Sequence, residues 1–81
     1  MAQTLLADGF DAALIGFGRQ FNKVIAVYSY KKCVDILMQN SRMSYDEAVE
    51  YMEYNVLGAY VGSHTPVFIQ EATIDDRESL Q

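Results

Sequence analysis

Apolar and polar positions follow two different rhythms along this chain. From Ala12 to Phe17 and from Val24 to Tyr28 there are short apolar runs of strand length. From Tyr30 onward the apolar residues recur every three or four positions instead. The first run predicts a strand with Leu14 and Gly16 on one face and Ile15 and Phe17 on the other. Gly18-Arg-Gln-Phe-Asn22 has the length and chemistry of a hairpin connection. Val24-Ile-Ala-Val-Tyr28 is apolar on both sides, so it is expected to be the central strand, covered on both faces. Ser29 is positioned to cap a helix from Tyr30 to about Gln39, with Tyr30, Cys33, Val34 and Leu37 as its buried stripe. Ser44-x-x-Glu47 is a capping box, and it opens a second helix from Tyr45 to about Leu57. The stripe expected on that helix is Tyr45, Ala48, Val49, Met52 and Val56, with Gly58 as a left-handed stop. Pro66 opens a last short strand, Val67-Phe-Ile69.

The order predicts an α+β fold, ββααβ, with a three-stranded, mostly antiparallel sheet and two helices packed on one face. The third strand is expected antiparallel to the second, in spatial order 1-2-3; order 3-1-2 with a parallel pair is the alternative. The other sheet face, carrying residues such as Ile15, Phe17 and Ile25 or their neighbours, is then bare and suited to a homodimer. Residues 1–72 make one domain and 73–81 a flexible acidic tail. Within the first ten residues, Asp8-Gly9 signals a turn, and Leu5, Leu6 and Phe10 are expected to pack as a short arm or one helical turn.

Composition narrows the class. With 81 residues, the chain has room for a single thinly buffered core. Cys33 is the one cysteine, which excludes an internal disulfide and any Cys/His set of structural-zinc spacing. Self-association is the expected compensation. A 51% hydrophobic share argues against disorder, yet no apolar run has the length of a membrane span. The first residues lack the basic start and apolar stretch of a secretion signal, so a cytoplasmic location is expected.

The net charge of −5 is unevenly spread. Residues 19–42 carry five basic side chains against Asp35, whereas residues 43–81 carry eight acids against Arg77. Such asymmetry steers head-to-tail contacts or a basic partner. The sparse basic residues do not make a phosphate-binding footprint, and an acidic second helix excludes reading of DNA by the helical pair.

Candidate chemistry is sparse. Glu47, Glu50 and Glu53 lie with Tyr51 and Tyr54 on the outer side of the second helix, a combination suited to binding a protein partner. A solvated acidic face is the plain reading of the same residues. Asn55, Tyr60, His64 and Thr65 surround Gly58-x-x-x-Gly62 and form the alternative, a site for a nucleotide or metabolite. That loop lacks the lysine and hydroxyl ending of a phosphate-binding loop and follows no strand. His64 has Ser63 and Thr65 beside it, a spacing that gives no triad geometry. No catalytic set, metal set or cofactor motif is visible, and a non-enzymatic protein is expected.

Several short motifs occur in order: Asp11-Ala-Ala-Leu-Ile-Gly16, Ala26-Val-Tyr28, Lys32-Cys33, Glu47-Ala48, Glu50-Tyr51, Glu53-Tyr-Asn-Val56, Gly58-Ala-Tyr-Val-Gly62 and Thr65-Pro66. Over roughly residues 10–70 this succession resembles small uncharacterised proteins of bacteriophages and marine prokaryotes. The resemblance implies a phage-type accessory protein in an infected or lysogenic bacterial host and brings no known activity. Those proteins often carry a second acid where this chain has Ala12, so any role of that acid is missing here.

Overall fold

In the computed structural model, residues 4–59 and 61–70 are described. A 3-10 turn, Asp11–Ala13, leads into β1 (Leu14–Gln20), which pairs with β2 (Lys23–Ser29). Helix α1 (Tyr30–Asn40) follows without a loop. Helix α2 (Tyr45–Tyr51) continues as a π-helical segment, Met52–Val56, and β3 (Val67–Ile69) closes the fold. The ββααβ order and the strand order β1-β2-β3 match the pattern of the sequence.

The caps are where local chemistry places them. The Ser29 hydroxyl accepts from the Lys32 N–H at 3.3 Å, so one residue ends β2 and starts α1. At α2 the box is reciprocal: Glu47 N–H donates to Ser44 Oγ at 3.2 Å and Ser44 N–H donates to Glu47 Oε1 at 2.8 Å.

Four expectations about the strands are corrected. Ala12 and Ala13 belong to the 3-10 turn, where small Ala13 is fully buried, and the strand starts only at Leu14. Strand pairing then continues through Gly18 and Arg19 to Gln20 opposite Lys23, which leaves Phe21-Asn22 as the whole turn. Ile15 is an extra residue in β1, between Leu14 opposite Tyr28 and Gly16 opposite Val27, so a bulge shifts the face alternation. Phe17 pairs with Ala26 and lies on the same face, where it stays exposed beyond the core, whereas Ile25 lies on the other face and is buried. The bare face drawn from Ile15, Phe17 and Ile25 therefore does not form as a single surface.

The fourth correction is the direction of β3, which runs parallel to β2 with Val27, Tyr28 and Ser29 opposite Val67, Phe68 and Ile69. The physical reason is the path between Leu57 and Pro66. This segment does not turn straight into the sheet but descends to the start of β2, where Lys23 Nζ donates to the Ser63 carbonyl at 3.4 Å. It reverses at Gly62–Thr65, with Gly62 at φ 111°, and then rises into β3.

The core lies between the Ala26/Tyr28 face of the sheet and the helices: Phe10, Ala13, Ala26, Tyr28, Tyr30, Cys33, Val34, Leu37, Ala48 and Met52 form one cluster. Tyr28 stacks on Phe68 with centroids 5.3 Å apart, and its hydroxyl accepts from the Ala7 N–H at 2.8 Å. With Thr4 Oγ1 donating to the Val24 carbonyl at 2.9 Å, that bond holds the arm against β2. Phe10 enters the core, while Leu5 and Leu6 stay exposed.

Two expectations on the second helix also change. Tyr45 leaves the buried stripe and is 62% exposed, because the first helical position projects beyond the core. Gly58 is not left-handed. A Cβ there would stand 3.2 Å from the Tyr54 carbonyl oxygen, so the glycine serves close backbone approach after the wider π turn, in which Leu57 N–H donates to Met52 O at 2.7 Å. The anticipated tail, 73–81, lies outside the described residues. Among the described residues, no helix is long and apolar enough to cross a membrane.

Candidate functional site

Helical spacing brings four of the five acidic-face residues together. Glu47, Glu50, Tyr51 and Tyr54, joined by Met43 and Asn55, line an open groove of about 280 Å³ along α2 and the π segment. Tyr54 is 77% exposed, so its ring is available rather than spent on the core. The capping box fixes one wall. The N–H and hydroxyl of Ser44 bind and hold the Glu47 carboxyl below its ordinary range, which keeps it ionised. Glu53 departs from the group: its Oε2 accepts from the Tyr30 hydroxyl at 3.0 Å, across to the start of α1. Burial raises the Tyr30 phenol, and the hydrogen bond and charge of Glu53 raise it further, so tyrosine remains the donor. Glu53 therefore ties the two helices together, a role that only the packing reveals.

The alternative constellation is dispersed. Asn55 and Thr65 both line a larger apolar cleft of about 400 Å³, walled by Leu5, Leu6, Phe10 and Val56 and closed by Pro66 and Phe68. The Thr65 hydroxyl is already committed, donating to the Gly62 carbonyl at 2.6 Å and accepting from the Val61 N–H at 2.9 Å. His64 is not on the cleft lining. Its Nδ1 lies 3.2 Å from Ser63 Oγ, a contact between chain neighbours, and among the described residues no carboxylate is hydrogen-bonded to the ring. Tyr60 lies outside the described residues. Among those described, no three His, Cys, Asp or Glu side chains converge to hold a metal ion. Cys33 is fully buried, which pushes its thiol up to about 11 and removes it as a nucleophile at neutral pH.

The groove and the cleft are neighbours, since Tyr51 and Asn55 line both. Among the described residues, the acids on the two linings are Asp8, Glu47 and Glu50, and no lysine or arginine joins them. The sequence shows Leu5, Leu6 and Phe10 as apolar positions but not that they wall a cleft, since no periodicity there says what they face. It gave equally little for Phe21, which is 98% exposed at the hairpin tip. Compared with known proteins, the chain matches no family model, no curated protein and no solved structure.

Proposed function

We propose that this chain is a non-enzymatic, self-associating interaction module, a phage-type accessory protein of the bacterial cytoplasm, which grips a lysine- or arginine-bearing segment of a host or phage protein. The observation that carries this reading is the acid-and-tyrosine groove, where Glu47 and Glu50 stand beside Tyr51 and Tyr54 with no basic side chain on the lining among the described residues. Tyrosine faces attract cations, each contact being worth about 0.5–1 kcal/mol at an exposed site. Exposed ion pairs add at most about 1 kcal/mol each and fade with salt. A few such contacts give weak, salt-sensitive binding, as suits a regulated contact.

The test is titration with a short peptide of alternating Lys/Arg and apolar residues, followed by isothermal calorimetry. Tyr54→Ala and Glu50→Ala are each expected to weaken binding about two- to fivefold, the equivalent of roughly 0.5–1 kcal/mol. Unchanged affinity in both variants removes the surface from consideration. The alternative, a nucleotide or metabolite binder, has one observation in its favour: Asn55 and Thr65 share an apolar cleft of ligand size. A metabolite-sized mass retained on the purified chain would move that reading to first place.

A further inference from the structure

Phe21 occupies the first position of a two-residue turn, with φ at 56° and 98% of its surface in solvent. Within the lone chain this arrangement has no return. A bulky residue is held in the backbone region where glycine normally sits, and its ring buries nothing. The pairing of Gln20 with Lys23 ties the tip tightly, so the ring has no tether on which to fold back onto its own core. The hairpin that presents it, residues 14–29, carries Arg19 and Lys23 and no acid.

The complement of this knob lies elsewhere on the same molecule. The cleft of about 400 Å³ is walled mainly by apolar side chains, and a cavity of roughly 150 Å³ suffices to hold a benzene ring. Phe21 is not among the lining residues. The acids Asp8, Glu47 and Glu50 border the cleft and its adjoining groove, and among the described residues no basic side chain joins them. A basic, aromatic tip and an acidic, apolar cleft on one chain are complementary in both shape class and charge.

We propose that Phe21 of one copy enters the apolar cleft of a second copy, with Arg19 facing the carboxylates of Asp8, Glu47 and Glu50. The contact joins two different surfaces. It closes a dimer when made twice about a two-fold axis and builds a chain of copies when made once. This deepens the self-association within the proposed function and rests on that part of the reading.

Sedimentation velocity over a range of protein concentrations tests it. The native chain is expected to assemble, and Phe21→Gly to sediment as a monomer. Thermal unfolding of Phe21→Gly at low concentration is expected to match or exceed the native midpoint, because the substitution relaxes the positive φ. Arg19→Glu is expected to weaken assembly at least tenfold, and Arg19→Glu combined with Glu50→Arg to recover part of it. Assembly that survives Phe21→Gly overturns the inference, as does a native chain that stays monomeric at high concentration. The basic peptide, titrated onto Phe21→Gly, separates the two claims. Assembly persisting alongside peptide binding sinks the docking contact and leaves the groove standing; assembly lost without peptide binding supports the contact and removes the groove.

Discussion

At the residue scale, a few side chains carry most of the specification. Arg42 follows α1 with φ at 55°, turning the chain so that Met43 N–H reaches the Leu37 carbonyl at 3.4 Å. Arg42→Gly is expected to stabilise the fold by about 1 kcal/mol, raising the melting midpoint by roughly 4–8 °C, as calorimetry would show. Gly58→Ala has the opposite sign. Its Cβ would press on the Tyr54 carbonyl oxygen, and a loss of about 1–3 kcal/mol is expected in urea unfolding. Cys33 and Tyr30 set an alkaline limit. Both groups are raised in the folded chain, chiefly by burial, so the neutral forms are the ones folding favours. The thiol's stabilisation is fully present below its unfolded value near 9 and is lost as pH rises towards about 11, whereas that of Tyr30 is lost only above the ordinary phenol value of 10.0. Melting curves at pH 8 and 10.5 should show that loss, with a shallower slope for Cys33→Ala; equal slopes would contradict it.

At the element scale, the legible features are those whose cause is local. Ser29 and the Ser44/Glu47 box mark helix starts because each cap is completed within three residues. The acidic-tyrosine groove is legible for the same reason, since Glu47, Glu50, Tyr51 and Tyr54 meet through helical spacing alone. What failed depended on partners distant in sequence. Glu53 has the same outward pattern as Glu50, yet α1 supplies it with Tyr30. The parallel direction of β3 depends on where Ser63 meets Lys23, forty residues apart. Ala12-Ala13 read as strand by its neighbours, although burial of Ala13 in the core favours the 3-10 turn. Tyr30→Phe probes this long-range level. Losing the hydrogen bond to Glu53 is expected to cost about 1 kcal/mol, and Glu53→Gln should cost less, because the amide oxygen still accepts. A double-mutant cycle showing no coupling between the two would argue that they act separately.

At the scale of the whole molecule, charge and exposed aromatic surface point the same way. The β1–β2 hairpin carries Arg19 and Lys23 and no acid, the groove is bordered by Glu47 and Glu50, and Phe21 and Tyr54 stand exposed on those two parts. A small chain with few core side chains has reason to bury such surface against another protein. The most direct measurement is a two-dimensional amide NMR titration of the Phe21→Gly chain with the lysine- and arginine-bearing peptide at low and at moderate salt. The interaction-module reading predicts shifts concentrated on residues 43–55 that weaken as salt rises. Shifts confined to the 61–66 loop, or none with the fold intact, would contradict it.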